Sequence, residues 1–234
     1  MGHTPREPQT HRSLQLRNAN GLTRLGLHSN QSWQDDPKHL AFSLSRYKFV
    51  AKMLSGRRNV LEVGCGDAFG TRIVLADVQR LTAIDFEPLF VSDVNQRMDE
   101  EWRFDCFNHD ITDGSVAGEF DAAFSLDVIE HIPKEQELDF MSNLCHSVTG
   151  EAAVIIGTPS RQSQVYASEA SKLGHVNCKD HNELRALMAR FFQNIFLFSM
   201  NDEVVHTGFY PMAHYLLALC CSKRPSAEWS REGE

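Results

Sequence analysis

Apolar residues fall in short runs that alternate with stretches of helical periodicity over most of the chain. The runs that predict strands are, in chain order, 60–63, 81–85, 102–107, 120–127, 152–157, 195–199 and 214–221. Between several of them, apolar positions recur every three or four residues. One such helical stripe, within 37–54, consists of Leu40, Leu44, Tyr47 and Ala51. Strands that alternate with helices are typical of an α/β fold with a largely parallel sheet.

The first predicted strand ends in a glycine-rich turn. Residues 64–67 read Gly-Cys-Gly-Asp, and residues 68–76 have helical character. Glycines permit backbone angles that a Cβ would forbid, and they let a ligand approach the main chain closely. The unit of strand, glycine turn and helix is therefore half of a nucleotide-binding crossover.

The spacing of the glycines selects the ligand. Gly64, Gly66 and Gly70 form G-x-G-x-x-x-G, whereas a dinucleotide fingerprint needs its third glycine one residue earlier. The acidic residue Glu62 in the strand, followed by G-x-G-D, resembles the first motif of class I S-adenosylmethionine methyltransferases. In that family the loop holds a methionine moiety with an ammonium and a sulfonium, so acidic side chains are tolerated. The motif alone is also compatible with an ordinary strand-to-helix turn.

A second motif follows the fourth predicted strand. Residues 125–133, Ser-Leu-Asp-Val-Ile-Glu-His-Ile-Pro, resemble the fourth motif of small-molecule methyltransferases. The combined resemblance is clear over about 40–159 and is to the type 11-like branch. It implies a Rossmann-like seven-stranded sheet with helices on both faces. It also implies an antiparallel last strand between the fifth and sixth, with S-adenosylmethionine as cofactor and S-adenosylhomocysteine as product.

The resemblance assigns residues to this cofactor. Asp85 ends the second strand about twenty residues past the glycine turn, where a carboxylate can accept both ribose hydroxyls. Asp110, with Asp105 as the neighbouring alternative, fits the acid that binds the adenine amino group. Arg46 belongs to an Arg-Tyr pair similar to one that precedes the first motif in a branch of bacterial methyltransferases, some of them linked to sugar and polysaccharide pathways. It either pairs with the methionine carboxylate or is a surface residue of a packing helix. The other cofactor candidates are Glu62, Gly64, Cys65, Gly66, Phe86, Ile111 and Leu126.

His131 is the candidate general base, because a histidine titrates near neutral pH and can remove a proton from a hydroxyl or ammonium acceptor. The alternative is that it caps the next helix or orders the loop. Asp127, Glu130 and His131 are also spaced to bind a divalent cation with a remote histidine, His175 or His206. They resemble the E-x-x-E-H cluster of ubiquinone-pathway and small-RNA methyltransferases, with Asp127 in place of the first Glu. The metal-free version is favoured, since helix capping equally explains the carboxylates.

Two polar connectors, 161–179 and 200–212, are expected at the ligand-binding edge of the sheet. A long connector in a compact domain is usually functional or disordered. The acceptor-pocket candidates on them are Tyr166, His175, Asn177, Asp202, His206 and Tyr210. For each of these side chains, a surface polar group is the alternative. Residues 180–183 resemble a capping box at the start of a further helix.

Charge and cysteine usage narrow the partners and the location. The formal net charge is -8, from 31 acids and 23 bases, which disfavours a long nucleic acid as partner. The N terminus lacks a secretory apolar core, and no apolar run approaches the ~20 residues of a membrane span, so we expect a cytoplasmic protein. Six cysteines without a C-x-x-C predict reduced thiols rather than a disulfide or zinc framework.

The chain divides into a poorly ordered extension (1–27), a methyltransferase domain with an N-terminal lid helix (28–222) and a solvated tail (223–234). The predicted function is methyl transfer to a small-molecule hydroxyl, less readily to an amine. Sugar-linked or secondary metabolites are the favoured acceptors. The alternatives are a catalytically inactive methyltransferase-like binding protein and a nicotinamide-dependent oxidoreductase. The sequence specifies neither the individual acceptor nor the oligomeric state.

Overall fold

A computed structural model describes residues 5–229, apart from the side chain of Ala170. Its strands are β1 (Val60–Val63), β2 (Leu81–Asp85), β3 (Asp105–Asn108), β4 (Phe120–Leu126), β5 (Val148–Pro159), β6 (Phe192–Asn201), β7 (Val204–His206) and β8 (Tyr215–Lys223). They form one eight-stranded sheet in the order β3-β2-β1-β4-β5-β8-β6-β7. The first five strands pair in parallel, and β8 runs antiparallel between β5 and β6. The predicted sheet and its antiparallel insertion are confirmed, with β7 as an additional short edge strand.

Helices cover both faces of this sheet. They are α1 (Pro8–Asn20), α2 (Leu27–Asp35), α3 (Pro37–Met53), α4 (Thr71–Leu75), α5 (Pro88–Arg97), α6 (Glu137–Ser147), α7 (Glu169–Gly174) and α8 (His181–Phe191). Local sequence explains where several begin. Pro37 opens α3 behind the cap Asp36, and Asp180 with Glu183 forms the predicted capping box of α8.

The sheet separates two apolar layers. Alternate residues of β4 point to opposite sides: Ala123 joins the layer under α6 and α8, and Phe124 joins the layer under α3, α4 and α5. Both side chains are fully buried. Burial of a side chain as large as that of Phe124 contributes about 1.5–3 kcal/mol. The carboxyl ends of the parallel strands therefore belong to a sheet that is packed on both faces.

The ends of the chain differ from the sequence-based prediction. Residues 8–20, expected to be poorly ordered, form α1, which buries no residue and is tied to the domain by a hydrogen bond from Asn20 to Glu101. Near the other end, Trp229 is only 7% exposed, so the described part of the tail is not simply solvated. Its indole nitrogen donates to the Arg224 carbonyl at 2.9 Å. Residues 1–4 and 230–234 lie outside the described part.

Smaller differences concern element boundaries and connectors. Strand β3 starts at Asp105 rather than at 102, because Asp99 caps a 3-10 turn at Glu100–Trp102. The polar connector 161–179 contains a 3-10 turn at Arg161–Tyr166 as well as α7. All six cysteines are free thiols. Among residues 5–229, no helix has the length and apolarity needed to cross a bilayer.

Candidate active site

The glycine turn after β1 has the backbone that its sequence predicts. Gly64 and Gly66 have φ values of 74° and 53°, a region that disfavours side chains. A Cβ on Gly64 would lie 2.3 Å from a methyl carbon of Val128, so this glycine lets the turn pack against the segment after β4. A Cβ on Gly66 would meet only the His28 ring nitrogen, at 3.8 Å. The backbone at Gly66 is thus open to a ligand.

Asp85 holds this turn from the end of β2. Its side-chain oxygens accept the backbone N–H groups of Gly66 at 2.7 Å and Glu87 at 2.9 Å. A carboxylate oxygen can accept a second hydrogen bond, so both retain capacity for a ligand hydroxyl. The next residue, Phe86, is 69% exposed and offers an apolar surface beside the carboxylate.

The turn after β3 lies next to Asp85, because the His109 N–H donates to the Asp85 carbonyl at 3.0 Å. Within this turn, one oxygen of Asp110 accepts the N–H and hydroxyl of Thr112. Ile111 is buried beside it. Asp105 begins β3 and so lies at the amino end of a parallel strand, away from the turn. Of the two candidates, Asp110 is therefore the one on the turn beside Asp85, and its role at the adenine stays a prediction.

S-adenosylmethionine fits this edge of the sheet. Three observations carry the fit: the open side of Gly66, the remaining acceptor capacity of Asp85 and the exposed ring of Phe86. Leu126, at the end of β4, is buried behind the edge, and the thiol of Cys65 is buried in the turn itself. Both side chains therefore belong to the apolar layer beneath this edge, and their contact with the cofactor stays a prediction.

Glu62 lies beneath the turn. The side chain is 2% exposed and accepts a hydrogen bond from the Thr71 hydroxyl at 2.6 Å, which ties β1 to the start of α4. Burial raises the pKa of Glu62 to about 8, so the neutral acid dominates at pH 7. Its predicted role as a cofactor residue stays a prediction, and its present contacts are internal.

The N-terminal segment covers the turn in a way that the sequence did not predict. The Ser29 N–H, in α2, donates to the Asp67 carboxylate at 2.7 Å, and the Ser29 hydroxyl lies 3.3 Å from its other oxygen. Arg97, at the end of α5, donates to the Asp67 carbonyl. His28 packs edge-on against Phe90 with ring centroids 4.4 Å apart. Helix α2 is therefore fastened directly to the glycine turn.

Arg46, on α3, reaches the end of β4. One guanidinium nitrogen lies 2.6 Å from both carboxylate oxygens of Asp127, and the guanidinium carbon lies 3.9 Å from the ring centroid of Tyr215. Burial works against the charged form, but Asp127 outweighs it and raises the pKa of Arg46. The structure thus pairs Arg46 with a protein carboxylate where the resemblance implied the methionine carboxylate. Its Nε is buried without a hydrogen-bond partner among the described residues.

Asp127 itself has a φ of 57°, a region that only a few per cent of non-glycine residues adopt. Its N–H donates to the Tyr215 hydroxyl at 3.2 Å, which helps to hold this conformation. Non-glycine residues in this region concentrate at functional sites, where the surrounding structure imposes the strain. Here the strain turns the chain sharply after β4 and directs the following residues along the sheet edge.

His131 and His175 lie face to edge, with ring centroids 5.0 Å apart. Nδ1 of His131 is 2.9 Å from the Gly174 carbonyl, and Nδ1 of His175 is 2.8 Å from the Gln164 amide oxygen. Because an oxygen of this kind only accepts, both rings carry their proton on Nδ1. In the neutral form of either ring, the lone pair is then on Nε2. Burial and the neighbouring His131 lower the pKa of His175, which favours its neutral form.

Glu130 completes this cluster from below. It is 1% exposed; Oε2 accepts the Thr158 hydroxyl at 3.1 Å, and Oε1 is buried without a partner among the described residues. Burial and the charge of Asp127 raise its pKa to about 8. Ligand atoms of Glu130, His131 and His175 lie within 4.8 Å of one another. Compared with the predicted metal set, His175 enters as the remote histidine and Asp127 is engaged by Arg46.

The structure brings only some of the acceptor-pocket candidates to this site. His175 is in the cluster, whereas His206 uses both ring nitrogens within its own hairpin, at Asn201 and Gly208. Asn177 is 8% exposed and bonded internally. Tyr210 stacks on the His181 ring, away from His131. Tyr166 is 81% exposed, on the connector that carries His175.

Asp202 reaches the site from the hairpin between β6 and β7. It borders a cavity of about 70 Å³ beside the Arg46 guanidinium; the other lining residues are Phe42, Met200, His214 and Tyr215. Sequence reasoning missed Tyr215 and Thr158, which read as ordinary strand residues. The signal for Tyr215 was its place in the antiparallel strand beside β5, where its hydroxyl reaches the end of β4.

Comparisons with known proteins agree with this arrangement. Residues 60–150 match a family model described as a methyltransferase domain. Two Mycobacterium tuberculosis proteins, each described as a probable S-adenosylmethionine-dependent methyltransferase, are 26% identical over 121 residues. The match covers 50% of this chain and 42% of each relative, so the chain spans less than half the length of these curated relatives.

Solved structures share the fold at low identity. The N-methyltransferase NodS from Bradyrhizobium japonicum, in complex with S-adenosylhomocysteine, has a TM-score of 0.61 at 18% identity over 93% of this chain and 99% of its own. The methyltransferase domain of bacterial CtHen1-C has a TM-score of 0.64 at 15% identity, over 77% and 98%. The plantazolicin methyltransferase BpumL, in complex with S-adenosylhomocysteine and a substrate analogue, has 0.61 at 15%, over 84% and 90%.

Residues 60–150 thus match a methyltransferase domain, and the chain is similar in sequence to probable S-adenosylmethionine-dependent methyltransferases and in fold to solved methyltransferases. This confirms the prediction from the two motifs, and S-adenosylmethionine as the cofactor is confirmed at the level of the class. The nicotinamide alternative loses its support. Because one of the neighbours is an N-methyltransferase, the predicted hydroxyl acceptor stays a prediction.

Proposed function

We propose that this protein transfers a methyl group from S-adenosylmethionine to a hydroxyl group of a small molecule, with His131 as the general base. The observation that carries the proposal is the orientation of the His131 ring: Nδ1 lies 2.9 Å from the Gly174 carbonyl, so the neutral ring presents an unprotonated Nε2. A base in this tautomer is ready to accept a proton without reorganising. It lies after β4, at the carboxyl edge where α/β sheets bind their ligands.

The chain's residues divide the work of the reaction. When bound, S-adenosylmethionine supplies a methyl carbon activated by a sulfonium. Gly66 and Asp85 would hold the ribose side of the cofactor, and Asp110 its adenine. His131 accepts the hydroxyl proton of the acceptor at Nε2, which leaves the acceptor oxygen more nucleophilic. Proton transfer of this kind contributes typically 10²–10⁴-fold, with the remainder from alignment of the two reactants.

The acceptor would bind between the two histidines and the cavity beside Arg46. That cavity combines aromatic walls, Phe42 and Tyr215, with the guanidinium of Arg46 and the carboxylate of Asp202. Such a lining suits a polar ring with several hydroxyls, since rings stack on aromatic faces and hydroxyls bond both charges. Sugar-linked or secondary metabolites remain the favoured class. The formal charge of -8 continues to disfavour a long nucleic acid.

The proposal is tested by binding and turnover together. Calorimetry should show binding of S-adenosylhomocysteine and none of NAD. Purified protein with S-adenosylmethionine is then screened against matched alcohols and amines built on the same sugar or aromatic ring, with S-adenosylhomocysteine release as the readout. Faster release with the alcohols supports the proposal. A preference for the amines would replace hydroxyl with amine as the acceptor, and binding without turnover of any acceptor would favour an inactive binding protein.

A second candidate mechanism is metal-assisted transfer, favoured by the convergence of Glu130, His131 and His175. Two imidazoles and a carboxylate suit Zn²⁺ or Mn²⁺ better than Mg²⁺, which prefers oxygen ligands. The two mechanisms respond differently to a chelator. EDTA leaves the rate unchanged if His131 acts as a base alone. If the cluster binds an ion, EDTA abolishes the rate and one of these cations restores it.

A further inference from the structure

A buried charged cluster lies behind the two histidines. It consists of Lys179, Glu137 and Asn177, which are 2%, 3% and 8% exposed. The Lys179 ammonium contacts a Glu137 oxygen and donates to the Asn177 amide oxygen at 2.9 Å. The Asn177 amide nitrogen donates to the same Glu137 oxygen, also at 2.9 Å. The three side chains thus form a closed triangle, which we call the buried triad.

Asn177 connects this triad to the backbone on both sides of His131. Its N–H donates to the Glu130 carbonyl at 2.9 Å, and its side-chain amide donates to the Ile132 carbonyl at 3.1 Å. These two carbonyls belong to the residues immediately before and after His131. One asparagine therefore fixes the peptide planes that flank the candidate base.

Lys179 of the buried triad also closes the connector 161–179, which carries His175. Lys179 forms a parallel bridge with Ser160, and the Arg161 N–H donates to the Lys179 carbonyl at 2.8 Å. The connector 161–179 therefore leaves and returns at one point. Within it, the Gly174 carbonyl meets Nδ1 of His131. Displacing Lys179 would loosen the carbonyl that sets the His131 tautomer.

Stability alone does not account for a fully buried ion pair here. Removing two charges from water costs several kcal/mol per ion, and well-packed apolar replacements are often neutral or stabilising. Lys134, whose side chain is 72% exposed, also donates to Glu137, so one of the two lysines that contact this carboxylate lies at the surface. Burial disfavours the charged form of Glu137. The hydrogen bonds from Lys134, Lys179 and Asn177 outweigh burial and lower the pKa of Glu137. The carboxylate stays charged and orders its neighbours.

We propose that Lys179, Glu137 and Asn177 are positioning residues that hold His131 in its Nδ1-protonated tautomer, with Nε2 free. The inference deepens the proposed function and rests on it for the role of His131. It concerns the placement of the ring, which can be measured without an acceptor. The triad itself touches neither acceptor nor cofactor.

The test replaces the charged pair Lys179 and Glu137 by uncharged side chains of similar volume. The Lys179→Met/Glu137→Leu double variant removes the pair and leaves Asn177 with its bond to the Ile132 carbonyl. The matched control is Lys172→Met/Glu169→Leu, which removes an exposed pair in α7 of the same connector. Binding of S-adenosylhomocysteine within about threefold of wild type shows that each variant is folded. The tautomer of His131 is then read from the ring nitrogen shifts in ¹⁵N NMR.

The proposal expects a predominantly Nδ1-protonated His131 in wild type and control, and a mixture of tautomers in the double variant. With an accepted substrate, kcat should fall about 10–100-fold in the double variant at unchanged KM, the usual range for partners behind a functional residue. An unchanged tautomer in the folded double variant overturns the inference. If that variant does not fold, Asn177→Ser decides in the same way, because it removes the amide that bonds the Ile132 carbonyl.

Failure of the proposed function would look different. If His131 changes tautomer in the double variant but kcat does not fall, the positioning role stands and the general-base role is wrong. If no acceptor is methylated by the wild type, the tautomer comparison still supports or contradicts the triad.

Discussion

The site that we propose has two halves, one for the cofactor and one for the acceptor, and they are built in different ways. The cofactor half consists of the glycine turn, Asp85 and the turn at Asp110, which follow three neighbouring strands of the sheet. Its contacts are mostly between a side chain and nearby backbone, as in the Asp85 bonds to Gly66 and Glu87. The acceptor half joins α3, the end of β4, the connector 161–179 and β8. Its contacts are mostly between side chains far apart in sequence.

The difference reflects what each half has to recognise. A constant cofactor can be bound by backbone geometry, which glycines and a strand-end carboxylate determine and which side-chain changes elsewhere leave intact. An acceptor has to be distinguished from its analogues, and buried polar groups that would be left unpaired provide that discrimination. Two buried atoms without a hydrogen-bond partner in residues 5–229, Nε of Arg46 and Oε1 of Glu130, lie in the acceptor half.

The largest expected effect separates ligand space from backbone strain in the cofactor half. Gly66 and Gly56 both have positive φ, at 53° and 81°, and neither would bring a new Cβ within 3.4 Å of another atom. Gly66→Val should abolish S-adenosylhomocysteine binding, because the side chain enters the cofactor's space. Gly56→Val should keep binding and lose about 1–3 kcal/mol of stability from strain alone. Calorimetry and urea unfolding measure the two effects, and equal affinity in both variants would place the cofactor elsewhere.

The sequence predicts more of the cofactor half than of the acceptor half. The glycine turn, Asp85 and Asp110 were predicted because each sits at a fixed offset from a strand end. The capping box of α8 was predicted for the same local reason. Arg46 and Asp127 are 81 positions apart, and no local pattern links them. Lys179 lies in a polar stretch that reads as solvent-exposed, so its burial depends on the fold of the whole connector.

The next effect belongs to the acceptor half. His131→Ala should lower kcat about 10²–10⁴-fold, since it removes the proton acceptor. S-adenosylhomocysteine affinity should stay within about threefold, because His131 touches none of the cofactor residues. His181→Ala serves as control, since this histidine stacks on Tyr210 outside the cluster. Steady-state kinetics decide, and full turnover in His131→Ala with EDTA present would leave alignment as the source of catalysis.

A smaller effect is expected in the cofactor half, where affinity for the cofactor falls and kcat does not. Asp85→Ala should weaken S-adenosylhomocysteine binding by about 2–3 kcal/mol, through loss of charge-assisted bonds to the ribose and of support for Gly66. At saturating cofactor, kcat should be nearly normal, because the acceptor half keeps its contacts. Asp105→Ala, at the far end of β3, is the matched control and should bind normally. Affinity of Asp85→Ala equal to wild type would contradict the ribose assignment.

The last test concerns Glu62, the acid buried beneath the glycine turn, and measures a change of stability with pH while binding at pH 7 stays normal. Its pKa is about 8 in the folded protein against an ordinary value of 4.5, so the folded state keeps a proton that the unfolded state releases. The resulting stabilisation is complete below about pH 4.5 and is lost as pH rises to about 8, with a slope of at most about 1.4 kcal/mol per pH unit. Glu62→Gln should flatten this slope in urea unfolding at pH 6, 7 and 8. Glu151→Gln, on an exposed part of β5, should not.

Because Gln resembles the neutral acid, Glu62→Gln should also bind S-adenosylhomocysteine normally at pH 7. A tenfold loss of affinity would show instead that Glu62 meets the ligand as a carboxylate, which is the role that the first motif implied.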